Sequence, residues 1–199
     1  MENWLKRLKR PWARIVIRLT FLFSIFACTS FALLIFYAKM AGAPPLNVPV
    51  NNIYYDNNES IIAKSGQDGI NREWVSLEDI SEHLIEATIA IEDKRFYSHH
   101  GFDFRRIAAA TLADIKARSK VQGASTITMQ YAKNMFLGHE KTWERKLKEV
   151  LYTLRLELNY SKDEILEGYL NTIYYGHGAY GIEEAANYYF QKSANELTL

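Results

Sequence analysis

The chain is poor in cysteine, in proline and in net charge. It has one cysteine, Cys28, among 199 residues, which excludes an internal disulfide. All four prolines occur at or before Pro49, so the rest of the chain can form helices without a proline break. Internal repeats and low-complexity tracts are absent too. With 48% hydrophobic residues, these absences indicate an ordered helical domain with an ample core.

The net charge of +1 conceals an uneven distribution. Residues 1–18 contain six Lys and Arg against the single acid Glu2, a balance of +5 that leaves −4 for the remainder. Because nucleic-acid-binding domains are usually basic, a mildly acidic body argues against a nucleic-acid partner.

Residues 19–38 form a run of twenty residues without a charged side chain. As a helix rising about 1.5 Å per residue, the run spans roughly 30 Å, the thickness of a bilayer's hydrocarbon core. The preceding basic segment, residues 1–18, predicts a cytoplasmic N-terminus by the positive-inside rule. A cleaved signal peptide is the alternative, although the run exceeds the usual signal core of about 7–15 residues.

Residues 39–52 contain three of the four prolines and predict a stiff, extended linker. Residues 53–199 then form the body of the protein. Two short β-like runs, residues 53–55 and 61–63, flank a turn and predict a hairpin. Residues 72–75 are a candidate for a further strand.

The remaining signals are helical. Ser76 resembles the start of a capping box, Asp103 is a suitable N-cap, and Ser161 with Glu164 forms a true capping box. Together with hydrophobic periodicity, these signals predict helices over residues 76–92, 104–118, 126–136, 142–159, 162–171 and 182–190. The predicted core positions include Ile91 and, as a stripe on the fourth of these helices, Trp143, Leu147, Val150, Leu151, Leu154 and Leu158.

Three polar clusters lie within one stretch of 60 residues in this helical body. Glu92 and Asp93 are adjacent acids beside Phe96 and Tyr97, an environment that suits a general base. The alternative interpretation is that both acids simply lie in solvent at the end of a helix and have no catalytic role. His99 alone is more typical of a residue that orients a loop than of a catalyst.

The other two clusters suit an anion. Residues 123–126 lead into a helix with a glycine and two hydroxyl residues, so the free N–H groups could hold a negatively charged oxygen cluster. Lys133 and Asn134 lie further along the same helix. Arg145 and Lys146 lie one turn before Glu149, a pattern that is also typical of a weak surface salt bridge. Acid, base and anion-binding groups together suggest transfer of a group from a phosphorylated donor.

These clusters belong to a longer pattern of ordered motifs. The motifs are Glu92-Asp93-x-x-Phe96-x-x-His99-x-Gly101, Gly123-x-Ser125-Thr126-Ile127-Thr128-x-Gln130-x-x-Lys133-Asn134, Arg145-Lys146-x-x-Glu149 and Lys162-x-x-Ile165-Leu166-Glu167-x-Tyr169-Leu170-Asn171. In order and spacing they resemble the peptidoglycan glycosyltransferases of family 51, found in class A penicillin-binding proteins and in monofunctional transglycosylases. Gly181-Ile182, Ala185-Ala186 and Tyr189-Phe190 resemble the fifth motif of that family.

The resemblance implies a mainly α, lysozyme-like domain, which has the small β-hairpin at its N-terminal end and is preceded by one transmembrane helix. It implies polymerisation of lipid II into β-1,4-linked glycan strands, with inversion at the sugar carbon and release of undecaprenyl diphosphate. Glu92 would be the base, and Glu149 would assist at the diphosphate. The substrate-binding residues would be Asp93, Phe96, His99, Gly123, Ser125, Thr126, Gln130, Lys133, Asn134, Lys141, Arg145, Lys146 and Asn171.

The resemblance also implies a setting and partners. The chain would be a single-pass protein of the bacterial inner membrane, with the catalytic domain on the outer face and other cell-wall synthesis proteins as candidate partners. It implies no organic cofactor, and a divalent cation, Mg²⁺ or Mn²⁺, is a candidate at Glu149. An apolar patch beside the site is expected, with candidates Phe102, Phe104, Met135, Phe136 and Leu137.

Some positions depart from the family pattern. Met129 replaces a usual glutamine, Lys141 a common arginine and Gln191 a usual glycine. The domain of this family normally runs on beyond the position of Leu199, which implies an incomplete C-terminal part. No Ser-x-x-Lys occurs, so we expect no transpeptidase centre within these 199 residues.

Two other functions fit the same features. A lysozyme or lytic transglycosylase of similar architecture would cleave glycans, but it would not need cations around a diphosphate. A catalytically silent, membrane-anchored interaction domain would not need Glu92.

Overall fold

The structure is a computed structural model that describes residues 11–46, 52–58, 61–65, 72–119, 123–138 and 140–198. Residues 1–10 of the predicted basic segment and residues 47–51 of the predicted linker lie outside these ranges. The chain divides into two compact units, Met1–Ala41 and Gly42–Leu199.

The first unit contains the predicted apolar helix. Helix α1 covers Pro11–Met40, so it exceeds the predicted run at both ends. Trp12–Met40 is long and apolar enough to cross a membrane, with a mean hydropathy of 2.3 in its most apolar window. Three of its hydroxyl side chains donate within the helix: Thr20 Oγ1 to the Val16 carbonyl at 3.0 Å, Ser24 Oγ to the Thr20 carbonyl at 2.9 Å and Thr29 Oγ1 to the Phe26 carbonyl at 2.9 Å.

The second unit begins its regular structure with the predicted hairpin. Strands β1, Asn52–Tyr55, and β2, Ile61–Ser65, pair antiparallel. In the turn, the Asp56 carboxylate accepts the Asn58 N–H at 2.8 Å. The candidate strand at residues 72–75 does not form, because the Asn171 side chain takes both polar backbone groups of Val75 instead of a neighbouring strand.

The body of this unit is helical, as predicted. Six α-helices follow in the part of the unit that the structure describes: α2 Glu82–Glu92, α3 Phe104–Ala117, α4 Ile127–Phe136, α5 Trp143–Asn159, α6 Lys162–Thr172 and α7 Ile182–Phe190. Short 3₁₀ turns cover Leu77–Asp79, Phe96–Ser98 and Ala194–Glu196. Between α6 and α7, strands β3, Tyr174–Gly176, and β4, Ala179–Tyr180, pair antiparallel and form a tight hairpin.

Capping side chains set most of the helix starts. Asp103, Thr126, Thr142 and Ser161 each accept a backbone N–H in the first turn of α3, α4, α5 and α6. The predicted start at Ser76 is wrong. The Ser76 hydroxyl donates to the Asp79 carboxylate at 2.6 Å, the chain becomes extended at Ile80, and α2 begins only at Glu82.

The core lies where α4, α5 and α6 pack together. Its fully or almost fully buried side chains include Ile127, Tyr131, Leu156, Ile165, Leu166, Tyr169 and Leu170. Each such side chain stabilises the fold by about 1.5–3 kcal/mol. Gly168 permits the close approach of α6 to α4, because a Cβ there would lie 2.3 Å from the Tyr131 hydroxyl oxygen.

Helix α5 buries only part of the predicted stripe, since Leu154 is buried and Val150 and Leu151 are half-buried. Trp143 is 87% exposed, and Leu147 and Leu158 are exposed as well. The buried residues are Glu149, Thr153, Leu154 and Leu156. The reason is that α5 turns a partly polar face towards α4, which is where the polar pocket described below lies. Ile91, predicted to face the core, is also exposed.

Candidate active site

Glu92 is the last residue of α2 and is half-buried. Gln130 Nε2, on α4, donates to Glu92 Oε2 at 2.7 Å. The Arg106 guanidinium donates to the backbone carbonyl of Glu92. The end of α2 is therefore held from two helices, and the Glu92 carboxylate is held by a residue 38 positions away.

Asp93 is buried and has different partners from Glu92. It is 1% exposed, and its Oδ2 lies 2.9 Å from His99 Nε2. The same oxygen accepts the N–H of Ile127, the first residue of α4, at 3.2 Å. Asp93 and His99 therefore join the turn after α2 to the start of α4, so His99 orients this loop, and Asp93 is not a second acid open to a substrate.

The turn after α2 is also fixed from the start of α3. The Asp103 carboxylate accepts the Arg106 N–H at 2.8 Å and the Arg95 Nε–H at 3.0 Å. Burial alone would raise the pKa of Asp103, but these two donors hold that pKa below its usual range. The charged cap thus places Arg106 beside the Glu92 carbonyl.

Gly101 completes this turn. Its φ of +81° is one that L side chains rarely adopt, and an added Cβ would lie 2.7 Å from the Thr153 methyl group. The Gly101 carbonyl accepts the Thr126 hydroxyl at 2.7 Å, which ties the turn to the N-cap of α4.

The start of α4 has fewer free N–H groups than the sequence predicts. The Ile127 N–H is bound to Asp93, and the Met129 N–H donates to the Thr126 hydroxyl at 3.2 Å. Thr126 is itself fully buried. These two amides are therefore not available to an anion, whereas the Ser125 side chain remains exposed beside the pocket.

An open pocket of about 460 Å³ lies between α4 and α5. It is lined by Ser125, Met129, Gln130, Lys133, Arg145, Lys146 and Glu149. Gln130 therefore connects this pocket directly to the carboxylate of Glu92. Three cations against one acid in the lining leave a net positive charge, which suits an anionic group.

Glu149 is the buried centre of the charged cluster, with 3% of its surface exposed. Arg145 Nη1 donates to its Oε2 at 3.0 Å, and Lys146 Nζ pairs with its Oε1. This is not the solvated surface pair that the spacing also allowed. Glu149 instead fixes the two cations in place, which leaves their remaining N–H donors to a ligand.

The donor set around Glu149 does not fit a protein-held metal ion. Within the part of the chain that the structure describes, no group of three or more His, Cys, Asp or Glu residues could hold a metal. Both carboxylate oxygens of Glu149 are already bound to cationic side chains. A metal would have a single protein carboxylate and two neighbouring positive charges.

Several residues predicted for substrate binding do not line this pocket. Phe96 is fully buried beneath Lys162 Nζ, 4.5 Å from the ring centroid. Asn171 is fully buried and clamps Val75 to α6. The other such residues outside the pocket lining are Asp93, His99, Gly123, Thr126, Asn134 and Lys141, of which Gly123, Asn134 and Lys141 are exposed.

Two tyrosines near Glu92 were not predicted as site residues. The Tyr169 hydroxyl donates to Gln130 Oε1 at 3.4 Å. The Tyr175 hydroxyl is buried and has no hydrogen-bond partner among the described residues. Burial raises the pKa of both phenols, and the charge of Glu92 raises each further. The presence of Tyr169 in the fourth motif was the one signal that could have pointed to it.

Comparisons with known proteins identify the family of the chain. A model of the family described as "Transglycosylase" matches residues 58–199. Penicillin-binding protein 2D of Bacillus subtilis strain 168 is 53% identical over 198 residues, which cover 100% of this chain and 28% of that protein. Penicillin-binding protein 1F of the same strain is 54% identical over 129 residues, 65% of this chain and 18% of that protein.

A shorter relative is covered more fully. The biosynthetic peptidoglycan transglycosylase of Haemophilus influenzae strain PittEE is 40% identical over 193 residues, 96% of this chain and 74% of that protein. The chain thus spans less than a third of these two penicillin-binding proteins and about three quarters of this shorter relative. The family model covers well over half of the residues of this chain. The chain therefore belongs to the transglycosylase family of glycosyltransferases.

Proposed function

We propose that this chain is a membrane-anchored peptidoglycan glycosyltransferase that polymerises lipid II into β-1,4-linked glycan strands. The observation that carries the proposal is the connection between a candidate base and an anion pocket. Gln130 holds the carboxylate of Glu92 and lines the same pocket as Lys133, Arg145 and Glu149.

In this reaction Glu92 is the general base. One of its oxygens, Oε2, is held by Gln130, so Oε1 takes the proton from the 4-hydroxyl of the acceptor's N-acetylglucosamine. The hydroxyl oxygen attacks C1 of the donor's N-acetylmuramic acid from the face opposite the diphosphate. The bond between C1 and the diphosphate oxygen breaks, its electron pair leaves with undecaprenyl diphosphate, and C1 is inverted from α to β.

The cations of the pocket act on the leaving group. Negative charge grows on the diphosphate as the C1–O bond breaks, and Lys133, Arg145 and Lys146 are the side chains that neutralise it. Because Glu149 already orients two of these cations, little rearrangement is needed when charge develops. Such preorganised electrostatic stabilisation is usually the largest single contribution to catalysis.

A divalent cation at this diphosphate stays a prediction. The protein residues around Glu149 do not form a metal site by themselves, so any such ion would depend on substrate oxygens. The steps above use only the side chains of this chain.

The membrane gives the enzyme access to a lipid-linked substrate. Helix α1 serves as a single-pass anchor in the bacterial inner membrane, with the N-terminus in the cytoplasm and the catalytic unit on the outer face. On α3, Phe104, Leu112 and Ile115 are large apolar side chains exposed to solvent, and they suit contact with lipid. Of the five residues predicted for this patch, Phe104 is the one that is strongly exposed.

Glu92→Gln tests the base. With the full chain and lipid II as substrate, we expect turnover to fall by about 10²–10⁴-fold, the usual contribution of a general base. The matched control is Glu144→Gln, which removes an exposed carboxylate on α5 and should retain turnover. Retained turnover in Glu92→Gln would contradict the proposal, as would shortening of preformed peptidoglycan by the wild-type chain in place of glycan synthesis.

A further inference from the structure

The side chain of Gln130 is held at both ends. Its Nε2 donates to Glu92 Oε2 at 2.7 Å, and its Oε1 accepts the Tyr169 hydroxyl at 3.4 Å. Tyr169 belongs to α6 and lies 39 positions from Gln130 in sequence. Three helices therefore contribute one side chain each to a chain of hydrogen bonds that leads from Tyr169 through Gln130 to Glu92.

The orientation of the Gln130 amide decides whether Glu92 is held. An amide carries two donors on nitrogen and only acceptor sites on oxygen. If the amide rotated by half a turn, Oε1 would face the Glu92 carboxylate, and two acceptors would repel one another. A donor at the far end of the amide favours the observed orientation, and the Tyr169 hydroxyl is such a donor.

Tyr169 remains a donor over the physiological pH range. It is 2% exposed, and burial raises the pKa of its phenol, as does the nearby charge of Glu92. The phenol therefore stays protonated. It does not line the pocket, so a substrate in the pocket has no direct contact with it.

We propose that Tyr169 is a positioning residue for the base. Its hydroxyl fixes the amide of Gln130, Gln130 fixes Oε2 of Glu92, and Oε1 is thereby aimed at the acceptor hydroxyl. This inference rests on the proposed function, and it adds a residue on a third helix, behind the pocket, to the catalytic arrangement.

Tyr131 provides a matched control for a buried phenol. It is fully buried in the same contact between α4 and α6, and its hydroxyl has no hydrogen-bond partner among the described residues. Burial raises the pKa of Tyr131, and the further increase comes from Tyr160 and Glu167 rather than from Glu92. Deleting the Tyr131 hydroxyl removes a buried phenol oxygen from the same core but leaves the hydrogen bonds from Tyr169 through Gln130 to Glu92 intact.

The first experiment compares Tyr169→Phe with Tyr131→Phe in the full chain, by steady-state turnover of lipid II. We expect kcat to fall roughly three- to tenfold in Tyr169→Phe, as for the loss of one hydrogen bond, with KM unchanged. Tyr131→Phe should keep both constants. A wild-type kcat in Tyr169→Phe would overturn the inference, and so would an equal loss in Tyr131→Phe, since that would indicate a general effect on the core.

The second experiment asks whether Tyr169 acts through Gln130. In a Gln130→Met background the amide is absent, so Tyr169→Phe should cause no further loss of kcat. Independent, multiplicative losses would overturn the inference while leaving the proposed function intact. If the wild-type chain does not turn over lipid II at all, the proposed function fails, and the positioning role falls with it.

Discussion

At the scale of single residues, burial decides the meaning of a charge. Spacing alone could not distinguish Glu149 from the acid of a surface salt bridge, and most such pairs contribute little. In the structure its carboxylate is almost completely buried between Arg145 and Lys146. Because a buried ion left without its partner is strongly destabilising, this acid and its two cations depend on one another.

Glu149→Gln should therefore affect stability and turnover together. Breaking a buried ion pair costs about 3–5 kcal/mol, and partial exposure of both cations reduces our expectation to about 2 kcal/mol. Turnover of lipid II should fall at least tenfold, because Arg145 and Lys146 lose their fixed positions. The two quantities are measured by denaturant unfolding in detergent and by the turnover assay.

The control for this variant is again Glu144→Gln, whose carboxylate pairs with Lys148 on the exposed face of α5. It should change neither quantity. Full turnover in Glu149→Gln would show that the cations do not need this acid, and the account of the pocket would be wrong.

At the scale of elements, the site depends on how helices begin and end. Glu92 ends α2, Asp103 caps α3 and Thr126 caps α4, and these ends are joined by side-chain hydrogen bonds. The polar groups that a helix terminus leaves unpaired thus tie one element to the next. Replacing a capping residue should consequently affect the position of Glu92 as well as the stability of the capped helix.

Asp103 provides a test that depends on pH. Its pKa in the folded protein is lowered, so the stability that it contributes is present above its unfolded pKa of about 3.9 and is lost as the pH falls from that value through the lower pKa of the folded state. Asp103→Ala should destabilise the fold by about 1–2 kcal/mol at pH 7, because the cap and the Arg95 contact are both lost.

The measurement is the free energy of unfolding of both chains between pH 3 and pH 7. The difference between wild type and variant should shrink as the pH falls below about 4. Glu78→Gln, which removes an exposed carboxylate, is the control and should follow the wild-type curve. A difference that grows towards low pH would contradict the sign of the pKa shift.

At the scale of the whole molecule, the proposal requires the catalytic unit to lie on the outer face of the membrane. Protease added to intact spheroplasts should digest the unit that begins at Gly42 and leave an N-terminal tag protected. The physical reason is the positive charge of residues 1–18, which favours retention in the cytoplasm.

The charge itself can be varied. Changing Lys6, Arg7, Lys9 and Arg10 to glutamine should leave a fraction of the molecules with inverted orientation and a protected body. Exchange of Lys for Arg and of Arg for Lys at the same positions keeps the charge and should keep the orientation. Protection of the body in the wild-type chain would contradict the proposed topology.

Local chemistry made several elements predictable. Asp103 and Ser161 act as the caps that their sequences indicated, the hairpin forms where β-like runs flank a turn, and the apolar run is a helix. Each of these features depends on residues a few positions apart. Where two local signals competed, prediction failed, as at Ser76, whose hydroxyl satisfies Asp79 rather than the backbone of a long helix.

The sequence by itself determined which chemical groups are present, their order and the helices that carry them. The tertiary structure alone decided that Asp93 turns inward, that α5 buries Glu149 and exposes Trp143, and that Tyr169 stands behind Gln130. The reason is that periodicity indicates which residues share a face of a helix but not which neighbour that face meets. The contacts of Glu92 and Tyr169 with Gln130 join residues nearly forty positions apart, and they form only when α2, α4 and α6 are packed together.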